Sequence, residues 1–135
     1  MPNNKKKILV TGGAGFVGTN LIKYFLKKTK FHIVSLDNYS SGLKKNHIKN
    51  NRVKYIKGHT KNIVDLIKYP KNIHSVFHFG EFARIYQSFK KFDECLKSNT
   101  IGSNAVFNFC LENNIKLIYS ATSATLGNKG HDKNL

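Results

Sequence analysis

The sequence predicts an α/β protein with a doubly wound parallel sheet of about five strands. Three observations carry this: an apolar strand opens through a glycine turn into a helix, an acid closes the next strand, and strands then alternate with helices along the chain. That alternation implies parallel strands, helices on both faces and right-handed crossovers. With 135 residues, 40% of them hydrophobic, the chain has material for one ordinary core.

Residues 5 to 10 read as a buried strand, ending Lys7-Ile8-Leu9-Val10 and running into Thr11-Gly12-Gly13-Ala14-Gly15-Phe16-Val17-Gly18. Leu21, Ile22, Phe25 and Leu26 then recur at helical spacing. Strand, glycine turn and helix in this order form a dinucleotide fingerprint. One glycine permits the turn, one lets the backbone approach a pyrophosphate, and Gly18 lets helix and strand pack closely. The helix N-terminus offers unpaired N–H groups and a partial positive charge to the phosphates. The second strand, His32 to Asp37, ends on an acid nineteen residues after Gly18, near the separation of about 20 at which an acid meets the adenosine ribose. A carboxylate there accepts from the ribose hydroxyls and repels the extra phosphate of NADP, so NAD is the expected cofactor. Lys44 and Lys45, cations close by, complicate that choice.

The remaining elements follow in turn. A polar loop spans 38 to 51. Val53 to Lys57 reads as a third strand closed by Gly58, and Ile63, Leu66 and Ile67 as a brief helix stopped near Pro70. Ile73 to Phe79 is the fourth strand. A long helix is expected from about Phe89 to Leu111, with Phe92, Leu96, Ile101, Val106, Phe107 and Cys110 on its apolar side, and Ile115 to Tyr119 make the fifth strand.

Lys and Arg total 23 against 7 acids, a formal charge of +16. Such a balance attracts anions, nucleotides included. It does not amount to a nucleic-acid motif, because the excess is scattered lysine beside abundant Asn and Ile, as compositional drift toward A/T-rich codons produces. Cys95 and Cys110 form no C-x-x-C pattern and pair with no histidine cluster, so no metal site is expected; both read as small buried side chains in a reducing cytoplasm. No apolar run is long enough to cross a membrane and no signal peptide opens the chain, which predicts a cytoplasmic protein.

Residues 7 to 127 resemble the N-terminal part of the extended short-chain dehydrogenase/reductase family, in its NAD-dependent nucleotide-sugar epimerase/dehydratase branch. The family's Thr-Gly-Gly-x-Gly-Phe-x-Gly is intact as Thr11 to Gly18, and its Asp-Asn-Tyr/Phe-Ser-Ser/Thr-Gly as Asp37-Asn38-Tyr39-Ser40-Ser41-Gly42. The resemblance implies a Rossmann-type sheet, with Gly12, Gly15, Phe16, Val17 and Gly18 at the cofactor phosphates and Asp37, Asn38, Ser40 and Gly42 along the adenosine side. Turn chemistry is an equally good account of Ser40 and Ser41. Where the family has Gly-Asp-x-x-Asp after the third strand, this chain has Gly58-His59-Thr60, so His59 and Thr60 take the adenine position and a ring nitrogen of His59 is expected to accept from the adenine amino group. The family's His-x-Ala-Ala becomes His78-Phe79-Gly80-Glu81, putting Phe79 and Gly80 beside the cofactor and an unexpected acid at Glu81. His78 fits a hydrogen-bonded core residue better than a catalyst. Asn99 maps onto an Asn near the nicotinamide half, and for Arg84 a phosphate contact and a solvated role fit equally.

The resemblance also implies the chemistry: hydride transfer at a sugar carbon, with a Tyr-x-x-x-Lys pair taking the hydroxyl proton and a Ser or Thr at the fifth strand's end assisting. The strand-end motif is Ser120-Ala121-Thr122-Ser123-Ala124-Thr125-Leu126-Gly127, which gives Thr122 the catalytic hydroxyl, with Ser123 the neighbouring alternative. No Tyr-x-x-x-Lys follows it; Tyr24 with Lys28 and Tyr86 with Lys90 precede it and fall outside the family order. The chain therefore reads as residues 1–135 of a partial NAD-binding domain, cut before its substrate lobe and inactive alone, with an exposed edge at the fifth strand that invites self-association. A nucleotide-sugar substrate and a homodimer are implied for the full-length protein. The alternative is a stand-alone nucleotide-binding module working with a partner.

Overall fold

The computed structural model describes residues 6–122. Five strands, β1 (Lys7–Thr11), β2 (His32–Asp37), β3 (Val53–Lys57), β4 (Ile73–His78) and β5 (Lys116–Tyr119), form one sheet in the order β3-β2-β1-β4-β5. Every pairing is parallel, with Leu9 opposite Val34 on one side and Val76 on the other. The chain winds outward from β1 to β3 and then returns to place β4 on the other flank of β1. The order reverses between β1 and β4, so the carboxyl ends of these two strands open a crevice at the switch point, where Rossmann-type sheets take their ligands.

Side-chain alternation along β1 divides the core. Ile8 and Val10 face Ile22 of α1 (Phe16–Lys28), together with Ile33. Leu9 faces the other way, into a cluster with Leu36, Ile63, Val76, Val106 and Phe109. That second layer is built by α2 (Ile63–Leu66) and α5 (Ser103–Glu112). Arg52 anchors the C-terminal end of α1, its guanidinium donating to the carbonyls of Leu26, Thr29 and Phe31.

The helix expected from Phe89 to Leu111 is broken into segments. It comprises α3 (Ile85–Lys90), α4 (Phe92–Leu96), a π-helical turn (Lys97–Gly102) and α5. The break falls at Lys91, whose φ of −129° and ψ of 47° are not helical. Of the apolar side predicted for that helix, Val106 and Cys110 are buried, whereas Phe92 is 66% exposed and Leu96, Ile101 and Phe107 also face outward; Phe109 takes the inward position instead. The π-helical turn has a packing reason. A Cβ on Gly102 would overlap Thr60 Oγ1, so the wide turn brings bare backbone against the segment that follows β3.

The polar loop of 38–51 is more ordered than its composition suggests. His47 stacks on Tyr55 with ring centroids 3.8 Å apart, and its Nε2 lies 2.9 Å from the Tyr39 hydroxyl. This holds Tyr39 at a φ of +61°, in the left-handed region. Among the described residues, no helix is long and apolar enough to cross a membrane.

Candidate functional site: the crevice between β1 and β4

The glycine turn is shaped by how little room it leaves. Gly12 has a φ of +69°, and a Cβ there would stand 2.7 Å from the Phe79 carbonyl oxygen. A Cβ on Gly18 would overlap the Gly12 carbonyl, so this glycine closes α1 onto the turn as much as onto the strand. Gly13, which the sequence reading left without a role, sits where a side chain would overlap the Ser35 hydroxyl. Gly15 differs: a Cβ there meets only the Gly12 carbonyl oxygen, at 3.3 Å, and otherwise projects into the open crevice. As the N-cap of α1 it brings no side chain to the helix start, and no acid lies in the first turn. The first N–H groups of α1 are thus directed at whatever enters the crevice.

Asp37 is 7% exposed at the end of β2. Its Oδ2 accepts from the Ala14 N–H at 2.9 Å and its Oδ1 from the Tyr39 N–H at 2.8 Å. The carboxylate thereby ties the glycine turn to the loop after β2, with further lone pairs on both oxygens for a diol. Gly42 lies behind it, where a Cβ would come within 2.8 Å of Oδ2, so this glycine supports Asp37 from outside the crevice lining. The Ala14 carbonyl accepts from the Leu43 N–H and the Asn46 amide, which folds the loop over the turn.

The crevice has two communicating halves. The smaller half, about 60 Å³, is lined by Gly12, Gly15, Asp37, Asn38, Ser40, Thr60, Phe79 and Gly80 among others. The larger half, about 620 Å³, is lined by Phe16, Val17, Gly18, Asn99 and Thr122 together with Gly12, Gly15 and Phe79. His59 borders an adjoining recess shared with Asn38, Ser40 and Ser98. The crevice also includes residues that sequence reasoning left out: Ser98, Phe82 and Cys95 come from the segments beyond β4, and only the tertiary fold brings them there.

Thr60 Oγ1 is buried beside this crevice with no hydrogen-bond partner. Its oxygen packs against the backbone of Gly102, where a Cβ would overlap it. With the bare backbone at Gly12 and Gly15 and the acid at the β2 end, these residues fit a dinucleotide.

His59 is the N-cap of the short turn Thr60–Asn62, its Nδ1 accepting from the Lys61 N–H at 3.1 Å. Burial, reinforced by Lys61 and Lys97, holds it below the ordinary histidine pKa. The neutral ring therefore carries its proton on Nε2, which lies 3.5 Å from Ser98 Oγ. Both ring nitrogens are thus engaged within the protein, Nδ1 by the Lys61 N–H and Nε2 by Ser98 Oγ.

The departure at His78–Glu81 is a connected network. Thr11 Oγ1 accepts from the N–H groups of Phe79 (3.1 Å) and Gly80 (3.0 Å), which leaves its proton for His78 Nδ1 at 2.6 Å. His78 Nε2–H then donates to Ser103 Oγ at 2.9 Å. The Ser103 hydroxyl and the Tyr119 hydroxyl both donate to Glu81 Oε1, at 2.8 and 2.7 Å. His78 is wholly buried; burial lowers its pKa, and Glu81 opposes that only in part. The Tyr119 hydroxyl is raised by its bond to Glu81. Glu81 is thus explained by Tyr119 and Ser103, residues that a local motif does not include.

Asn99 clamps the chain after β4. Its Oδ1 accepts from the Phe82 N–H at 2.6 Å and its Nδ2 donates to the Phe82 carbonyl at 2.9 Å. Cys110 is buried, with its thiol pushed up to about 11, but Cys95 is only half-buried and lines the larger half of the crevice, which corrects the expectation that both are core residues. Arg84 also borders that half. Tyr86 and Lys90 form an exposed cation–π pair on α3, with Nζ 5.2 Å from the ring centroid. Thr122 is exposed at the crevice mouth after β5, and Ser123, its alternative, lies outside the described residues.

The sequence pattern of the NAD dependent epimerase/dehydratase family matches residues 8–134. A UDP-glucose 4-epimerase of Halalkalibacterium halodurans is 31% identical over 124 residues, covering 89% of this chain and 36% of the relative. An epimerase from Methanothermobacter thermautotrophicus superimposes with a TM-score of 0.81 at 26% identity, over 89% of this chain and 36% of that one. The enzyme WbmG of Bordetella bronchiseptica, solved in complex with NAD and UDP, gives a TM-score of 0.77 at 25% identity, over 89% of this chain and 38% of its own. The chain thus spans little more than a third of these relatives. Its sheet order, its glycine turn and this match over nearly its whole length place the chain in the NAD dependent epimerase/dehydratase family.

Proposed function

We propose that these residues are the NAD-binding portion of a nucleotide-sugar epimerase or dehydratase, with the substrate-binding lobe lying outside them. The observation that carries this reading is the placement of Asp37: a buried carboxylate at the end of β2, beside the bare backbone of Gly12 and Gly15. Its two oxygens each keep a lone pair for one ribose hydroxyl, and its charge disfavours a phosphate on that ribose. The N–H groups at the start of α1 take the pyrophosphate, and Asn38, Ser40 and Thr60 flank the adenosine. The larger half of the crevice, bordered by Asn99 and Thr122, receives the nicotinamide and the sugar. Its volume of about 620 Å³ suits such groups.

When bound, NAD supplies a hydride acceptor at the sugar carbon. The chain's own contribution there is the Thr122 hydroxyl, which hydrogen-bonds the sugar hydroxyl whose proton must leave. The base that takes this proton lies outside these residues, since no Tyr-x-x-x-Lys follows Thr122 in them.

A thermal-shift titration tests the reading. NAD at about 100 times its dissociation constant stabilises the fold by about 2.7 kcal/mol. NADP at the same concentration gives a clearly smaller shift. Equal shifts with the two nucleotides would remove the role given to Asp37, and conversion of a UDP-sugar by the purified chain would overturn the placement of the base.

A further inference from the structure

Glu81 borders both halves of the crevice. Its side chain is 24% exposed, and a single oxygen, Oε1, holds the hydroxyls of Ser103 and Tyr119 at 2.8 and 2.7 Å. Two donated protons on one oxygen fit a carboxylate, which accepts on every lone pair. His78 does not neutralise this charge. Its Nε2 lies 4.0 Å from Oε1, but burial holds the ring below the ordinary histidine pKa and so uncharged at pH 7. Arg84, the other charged residue along the larger half, is exposed and makes no ion pair with Glu81 among the described residues.

We propose that Glu81 determines how the crevice discriminates the oxidation state of its cofactor, strengthening the binding of NAD relative to NADH. This rests on the dinucleotide reading above, which places the nicotinamide in the half bordered by Asn99 and Thr122, where Glu81 also stands. The nicotinamide ring carries one positive charge when oxidised and none when reduced, and the two forms share their other charges. A fixed carboxylate beside the ring therefore attracts only the oxidised form. For unit charges about 6 to 10 Å apart at an effective dielectric of about 40, the attraction changes a dissociation constant about 4- to 10-fold. The lysines act in the opposite sense, favouring the more anionic reduced form, but they are scattered along the chain and screened by salt. By linkage, tighter binding of the oxidised form lowers the potential of the bound couple, so a hydride taken up is more readily given back.

Isothermal titration of the purified chain with NAD and with NADH gives the ratio of the two dissociation constants. Comparing that ratio between variants cancels the field of the lysines. Glu81→Gln keeps an acceptor for Ser103 and Tyr119 and removes only the charge, so it should weaken NAD relative to NADH about 4- to 10-fold. Glu81→Ala loses the hydrogen bonds as well and should give the same ratio as Glu81→Gln. Glu81→Asp keeps the charge and should stay within about twofold of the unaltered chain. A ratio unmoved by Glu81→Gln, or one that moves only in Glu81→Ala, would make Glu81 a support for β5 and α5 alone. Either result would overturn the inference while leaving the dinucleotide site standing. Failure of the unaltered chain, shown folded by circular dichroism, to bind either form would overturn the site and the inference together.

Discussion

Thr11 Oγ1 and His78 Nδ1 lie 2.6 Å apart, joining the carboxyl ends of β1 and β4 across 67 residues of sequence. Because the same oxygen also receives the Phe79 and Gly80 N–H groups, one hydroxyl fixes both walls of the crevice at their closest approach. Replacing it with a shape-matched methyl, in Thr11→Val, takes this partner from the Gly80 N–H and from the buried ring nitrogen of His78, while the Phe79 N–H keeps the Thr11 carbonyl at 3.2 Å. The cost should be about 2 to 4 kcal/mol in urea unfolding. A loss below 0.5 kcal/mol would show that water satisfies these groups.

The network also sets a pH dependence. Burial holds His78, and to the same sign His59, below the ordinary histidine value, so the unfolded chain takes up protons first as pH falls. Their contribution is complete above about pH 6.5, and is lost as pH drops from there through the lowered folded values. Urea midpoints should accordingly fall between pH 7.5 and pH 5.5. His78→Gln should flatten that slope, and an unchanged slope would assign the effect to other groups.

Ser35 and Gly13 make a coupled pair. The Ser35 hydroxyl is buried without a partner, so Ser35→Ala should be neutral or stabilise by up to about 1 kcal/mol. Gly13→Ala should destabilise, because the new methyl overlaps that hydroxyl. In the double variant the overlap with oxygen is gone, and the two changes should depart from additivity by at least about 0.5 kcal/mol in the favourable direction. Strict additivity would mean the clash is with the Ser35 Cβ alone.

Thr122 is tested in the full-length protein. Thr122→Ala and Thr122→Val should both lower sugar-nucleotide turnover about a hundredfold while leaving NAD affinity nearly unchanged. If Ser123→Ala is the damaging change instead, the hydroxyl has been placed one residue early.

What the sequence revealed, and what it hid, follows from range. β2 matches its reading to the residue, and the glycine turn is set by neighbours within a few positions, so apolar runs and glycine spacing suffice for both. The break at Lys91 escaped because periodicity around Phe92 and Leu96 continues through it, although those side chains face outward. Glu81 looked anomalous because its partners, Ser103 and Tyr119, are 22 and 38 residues away. His59 borders a recess beside Asn38 and Ser40, and its polarity depends on a backbone N–H two residues on, which residue identity does not disclose.

Gly15 offers the most direct measurement of the central claim. A side chain there approaches only the Gly12 carbonyl oxygen, at 3.3 Å, and otherwise enters the space assigned to the pyrophosphate. Its backbone is extended, with φ of −79° and ψ of 176°, which a β-branched residue adopts readily. Isothermal titration with NAD on the unaltered chain and on Gly15→Val should show saturable binding in the first and at least a tenfold weaker constant in the second, with melting temperatures close together in the absence of nucleotide. Equal NAD affinity in the two proteins would contradict the assignment of this crevice to the dinucleotide.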